Sequence, residues 1–193
     1  MSITTHEELR LIALAEFARA GYAGTSLQRI AEIAGMSKSS VLYHFASKEA
    51  LLEAAVGPAI DLMSDILDSI SDTELTDSRR AAFVSDFVDF LLRHRLEIST
   101  FLSQGPSLVD VPVIDRANAL VERLADYFFR AAPTVEARLR FGIALGGSAY
   151  ILGSQPGTEH KTEIPDDEIR AALITILTEL LAPVPVRPPT SLE

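Results

Sequence analysis

Apolar residues along this chain recur at three- and four-residue spacing, and glycine, proline and polar breaks cut the pattern into helix-length runs. Thr5 with Glu8 makes a capping box that opens a first helix, which reaches about Ala20 with Leu9, Ile12, Ala13 and Phe17 as its inward stripe. Gly21 ends it. Thr25 with Gln28 repeats the box as Thr-x-x-Gln, and Leu27, Ile30, Ala31 and Ala34 form the buried face of a second helix. Gly35 follows where a helix end commonly needs a left-handed backbone. Ser37 caps a third helix, Lys38 to Phe45, and Ser47 caps the next.

The pattern continues in longer pieces. From Ser47 a helix runs until Gly57-Pro58, where proline removes an internal hydrogen bond; either the helix kinks or breaks near residues 54–58, or Pro58 opens a separate helix. After the polar loop SDTELTD, Asp77 to His94 carries the stripe Phe83, Phe87, Phe90 and Leu91. A shorter helical run follows at Glu97 to Gln104, and then Ile114 to Ala131 is helical with Leu120, Leu124, Tyr127 and Phe128 inward. In the run 134–153, Gly142, Gly146, Ala149 and Gly153 align as a strip of very small side chains. Glycine inside a helix costs up to about 1 kcal/mol relative to alanine, and close approach of another helix is the usual compensation. A last helix, Pro165 to Leu181, has Ile169, Leu173, Ile176, Leu177 and Leu180 on one face. The expected class is therefore all-α, divided into a head at 1–46, a body at 47–182 and a proline-rich tail at 183–193.

Composition narrows the classes. With 193 residues and 48% hydrophobic side chains the chain can bury a sizeable core, which excludes general disorder. Zero cysteines exclude disulfides and thiolate metal sites and fit a reducing cytoplasm; no apolar run reaches membrane-span length. The net charge of −10 is uneven. Residues 1–50 hold five Lys/Arg and five Asp/Glu, and the remainder holds twelve and twenty-two. An acidic body is repelled by phosphate and belongs away from a duplex, but an acidic protein with no nucleic-acid role has the same balance.

The head carries the more specific signal. Small Ala31, permissive Gly35 and apolar Val41 have the spacing that two helices crossing steeply through a tight turn require, the helix-turn-helix arrangement. On the second of these helices Val41 and Phe45 point inward, while Ser39, Ser40 and Tyr43 lie opposite with Leu42 at the flank. Short hydrogen-bonding side chains suit a major groove. The run AGMSKSSVLYHFASKEALL resembles the DNA-binding signature of the TetR/AcrR family of one-component regulators, matching at Gly35, Ser37, Lys38, His44, Phe45, Ser47, Lys48, Glu49 and Leu51. Leu9, Ile12, Ala13, Phe17, Gly21, Thr25 and Ser26 extend the likeness over about the first 55 residues. Leu42 departs from it, standing where the family often has a phosphate-contacting tyrosine, with Tyr43 next.

The resemblance implies a double-stranded operator as partner. Ser37, Lys38, Ser39, Ser40, Leu42 and Tyr43 become candidates for bases and nearby backbone, and Thr25, Ser26, Gln28, His44 and Lys48 for phosphates. It also implies a homodimer through the last two long helices. The glycine strip with Ile169, Leu173, Ile176, Leu177 and Leu180 offers a seam for it, unless both faces pack within one subunit. Repression relieved by a small-molecule effector is the implied function; an activator, a ligand-independent DNA binder and a helical module that never touches DNA are the alternatives. The phenylalanine-rich body offers either a pocket or a plain aromatic core: Phe83, Phe87, Phe90, Phe101 and Phe128, with His94, Gln104, Arg123 and Tyr127 as nearby polar groups. An enzyme is not expected. His6, His44, His94 and His160 are scattered, no metal or cofactor motif is present, and Gly146-Gly147-Ser148 lies inside an apolar helix, the wrong context for a nucleophile elbow.

Overall fold

Nine α-helices make up the described part of the chain: α1 (Thr5–Gly24), α2 (Leu27–Ile33), α3 (Lys38–His44), α4 (Lys48–Ser71), α5 (Asp77–Arg93), α6 (Arg95–Gln104), α7 (Pro112–Ala131), α8 (Val135–Gly153) and α9 (Asp166–Leu180). The computed structural model describes residues 4–71, 76–104, 108, 111–132, 134–154 and 164–183. Residues 184–193 of the expected tail, residues 155–163 and most of residues 105–110 lie outside these.

The head's caps differ from the sequence expectation by one residue. Thr4, not Thr5, is the N-cap of α1 and accepts from the Glu7 amide, while the Glu7 carboxylate turns to Arg10 rather than back to the cap. Ser26, not Thr25, caps α2 and accepts from the Arg29 amide at 3.1 Å. Thr25 is drawn inward instead: its hydroxyl donates to the carbonyl of Gly21 at 2.8 Å and closes the end of α1. Gly21 turns the chain there at φ 76, and a Cβ at that position would meet Gln104 Oε1 of α6 at 2.8 Å. Gly35 takes φ 65 between α2 and α3, the left-handed conformation that the tight turn demands.

α4 runs unbroken through Pro58, so neither a break nor a fresh helix start occurs at residues 54–58. The lost backbone bond is offset by burial on both sides of the proline. Leu51, Leu52, Ala55 and Val56 join the apolar cluster of the head, and Ala59, Met63, Leu67 and Ile70 join that of the body. One rod therefore anchors in both cores. The head cluster also takes Val113 and Ile114 from the start of α7.

The body closes around α5. Phe83, Val84, Phe87, Val88 and Leu91 are buried against α8 and α9, with Leu173 and Leu177 packed into the same cluster. α7 lies along α4, tied by Arg116 to Glu53 and Asp61 and by Arg123 to Ser64 and Asp68. α6 is the element between head and body: it packs on α1 on one side and on α8 on the other.

Candidate nucleic-acid interface and body cavity

The outward face of α3 follows from what locks its inward face. Val41 is fully buried and Phe45 nearly so, which leaves Lys38, Ser39, Ser40, Leu42 and Tyr43 exposed; Tyr43 is 87% exposed. Ser37 caps α3 by accepting from the Ser40 amide, and its hydroxyl lies 2.8 Å from both the Ser39 and Ser40 hydroxyls. The face therefore presents a cluster of short hydroxyls beside one protruding phenol. Ser26 and Gln28 are also exposed, with the Gln28 amide donating to Glu32. His44 is half-buried and meets the Tyr43 ring edge-on at 5.4 Å.

Two of the residues expected at phosphates have side chains engaged within the chain. Thr25 is only 2% exposed and its hydroxyl donates into the backbone of α1, so its side chain faces no partner outside the chain. The Lys48 ammonium donates to the carbonyls of Tyr22 and Thr25 and lies 4.0 Å above the Tyr22 ring. It is spent on joining the start of α4 to the connection between α1 and α2. The Tyr22 hydroxyl donates to Glu49 at 2.9 Å and completes the joint. Burial first, and then that carboxylate, push the Tyr22 phenol well above its ordinary range, while the Glu49 carboxyl is held below its own by hydrogen bonds.

In the body a cavity of about 400 Å³ opens among α4, α5, α6, α7 and α8. Phe87, Phe90, Phe101 and Phe128 line it as expected from the sequence. Phe83 does not; it stacks behind Phe87 at 5.7 Å and supports that wall. The expected polar groups lie elsewhere. Arg123 turns outward to Asp68, the Tyr127 hydroxyl donates to the carbonyl of Ile70, and Gln104 sits beside Gly21 at the head. His94 stands behind Phe90, 5.0 Å from its ring, with Nδ1 3.1 Å from Glu97 Oε1. The polar groups that line the cavity are Glu97 and Thr100, which spacing alone does not single out: on a short helix they look like solvent positions.

The glycine strip divides. Gly142 and Gly146 are exposed at the rim of the cavity, and a Cβ at either would meet nothing within 4 Å. Gly153 packs inside the subunit, where a Cβ would stand 2.6 Å from Ile98 Cγ2 of α6. Leu173 and Leu177 are buried in the body core, and Ile169 and Leu180 are partly buried against it, so of the expected seam Gly142, Gly146 and Ile176 are at the surface. Exposed apolar residues flank the two glycines on α8: Val135, Leu139, Ile143, Tyr150 and Ile151, with Ile143 64% exposed. Their signal was present in the sequence, since the spacing of four from 135 to 143 marks an apolar stripe.

Among the described residues no group of three or more His, Asp or Glu side chains could hold a metal ion, and no helix is long and apolar enough to cross a membrane.

Comparison with known proteins places these features. The profile of the bacterial regulatory proteins, tetR family, matches residues 12–55, which span most of α1 through the first turns of α4. The chain is 32% identical over 112 residues to the HTH-type transcriptional regulator RutR of Escherichia coli; the match covers 58% of this chain but spans only 49% of RutR's own length. A member of the TetR transcriptional regulator family from Streptomyces coelicolor superposes with a TM-score of 0.71 at 25% identity, covering 94% of each chain. AibR, solved with isovaleryl coenzyme A and operator DNA, shares the fold with a TM-score of 0.65 at 22% identity, covering 91% of this chain and 98% of its own.

Proposed function

Because this chain belongs to the TetR family of bacterial regulatory proteins, we propose that it is a DNA-binding transcriptional repressor released from a palindromic operator by a small apolar or amphipathic effector. The observation that carries the reading is the outer face of α3, where Ser39, Ser40, Leu42 and Tyr43 stand clear of the core that Val41 and Phe45 lock. A short helix held this way can lie in a major groove with hydroxyls and a phenol toward base edges. Lys38, Ser26, Gln28 and His44 flank that face and are the groups proposed for the backbone.

A second copy is the proposed cover for the apolar row of α8, with Ile176 of α9 beside it. Two heads in one dimer would address half-sites about 34–36 Å apart, one turn of the duplex. The proposed effector occupies the body cavity. Ile98, Phe101 and Leu102 of α6 line that cavity while α6 also packs on α1, so an occupant that shifts α6 acts on the head directly. The effector must bind the DNA-incompetent arrangement better, or it shifts nothing. AibR, with its coenzyme A ester and operator in one crystal, is a precedent for both partners on this fold.

The test is fluorescence anisotropy on duplexes drawn from the DNA flanking the protein's own gene, against scrambled duplex at physiological salt. Specific retention of one palindromic segment is the expected result. Equal retention of every duplex would remove the operator from the reading.

A further inference from the structure

The cavity's chemistry selects its occupant more narrowly than its size does. Its walls are aliphatic and aromatic, and among the described residues no lysine or arginine lines it. Polarity is confined to one end, on α6. There Thr100 is fully buried and its hydroxyl has no hydrogen-bond partner. Glu97 lies one turn earlier, with one carboxylate oxygen already 3.1 Å from His94 Nδ1. An unpartnered buried hydroxyl on the wall of an otherwise apolar cavity is a hydrogen bond waiting for a ligand.

We infer that the effector is an uncharged hydrophobic molecule carrying a hydroxyl group, which donates to the Glu97 carboxylate and accepts from the Thr100 hydroxyl. This deepens the reading of the body cavity as the effector site and rests on it. The argument is one of donors and acceptors. A carboxylate only accepts, a hydroxyl does both, and a ligand hydroxyl completes the pair. A ligand carboxylate would be satisfied by Thr100 but would face the like charge of Glu97, and Arg10, the cation that interacts with Glu97, is already held by both carboxylate oxygens of Glu7. The phosphates of a coenzyme A ester meet the same obstacle inside the cavity. An ammonium brings three donors, must shed its hydration to enter walls that are otherwise apolar, and finds one Glu97 oxygen already engaged by His94.

A matched series isolates the end group. Nile red, a neutral dye that brightens in apolar surroundings, reports occupancy of the full-length protein; decanol, decanoate and decylammonium compete for it below their aggregation concentrations. Decanol is expected to displace the dye at concentrations at least about tenfold lower than either charged analogue. Thr100→Val is expected to cut decanol's advantage by about tenfold, the usual worth of one hydrogen bond to a buried partner, with a melting curve to show that the variant folds. Decanoate or decylammonium competing as well as decanol would overturn the inference while leaving the cavity as the effector site. An unchanged ranking in Thr100→Val would remove the hydroxyl from recognition and overturn it too. Ala117→Phe, at a buried position of the cavity wall, separates the other failure. If the dye does not bind the native protein, or binds a folded Ala117→Phe equally well, the cavity is not the site and the inference falls with it.

Discussion

Lys48 on α4 donates its ammonium to the carbonyl of Thr25 at 3.0 Å, across the joint between α1 and α2. A lysine at a helix start near a proposed DNA face would ordinarily be assigned to phosphate; here its donors are directed into the protein. Lys48→Ala is therefore expected to destabilise the fold by about 1–3 kcal/mol, the range for hydrogen bonds from a charged group. The salt dependence of DNA binding should remain close to that of the native protein. A thermal melt and a salt series of operator affinity check both halves. Loss of a full phosphate contact, seen as a slope lower by about 0.9, would show that Lys48 leaves its carbonyls when DNA binds.

Tyr43 is the opposite case, almost wholly exposed and touching only the edge of His44. Tyr43→Ala should change stability by less than about 0.5 kcal/mol, as surface substitutions do. If it reads a base, the gap between operator and scrambled duplex should shrink by about 1–3 kcal/mol. A changed salt slope with the gap intact would mean that the phenol contacts phosphate, in place of the tyrosine that Leu42 has replaced.

Two exposed positions of α8 test the proposed interface. Ile143 belongs to the exposed apolar row, so Ile143→Glu should weaken self-association by introducing a charge where a second copy is proposed to pack. Sedimentation velocity should show more monomer than for the native protein at equal concentration; an unchanged distribution would rule this face out of the interface.

Gly146 lies one turn along from Ile143 and is also exposed, with nothing within 4 Å of an added Cβ. Gly146→Leu should raise the stability of the single chain by up to about 1 kcal/mol, the helix penalty of glycine, and weaken self-association by overfilling a close helix contact. Unaltered sedimentation would take the glycines out of the interface.

Arg170 on α9 holds Asp89 on α5 through both carboxylate oxygens, at 2.6 and 2.9 Å, and also reaches Ser85. The hydrogen bonds from Arg170, and next its charge, keep the Asp89 carboxyl below the ordinary range. A carboxyl depressed on folding adds stability above its unfolded value, and that stability is lost as pH falls through the folded one. Asp89→Asn should therefore melt slightly below the native protein at neutral pH. The difference should fade below about pH 4, where aspartate in the unfolded chain takes up its proton. A difference constant down to acid pH would assign the effect to packing rather than to charge.

What the sequence determined by itself were the local features: helix existence, most helix ends, the left-handed turn at Gly35, and the inward pair Val41 and Phe45 that sets which side of α3 is free. Each of these depends on neighbours within a few residues, so spacing alone reveals it. Cap identity at Thr4 and Ser26 was missed by one position because two hydroxyl residues stand side by side in both cases, Thr4-Thr5 and Thr25-Ser26, and only the backbone turn decides which oxygen reaches an amide. The continuous α4 was decided by tertiary structure, since the cost of Pro58 is local and the burial that offsets it comes from two separate cores. A long-range partner also decided the fate of Lys48, bonded to backbone 26 residues away that spacing cannot bring near; Thr25 is drawn inward by the carbonyl of Gly21, four residues back, through the turn that Gly21 makes. The orientation of α8 was settled the same way. Small and large apolar residues stand side by side along it, so the sequence pattern left open which of them pack inside; the packing of α6, α7 and α9 buried Ala144, Leu145 and Leu152 and left Gly142, Ile143 and Gly146 exposed.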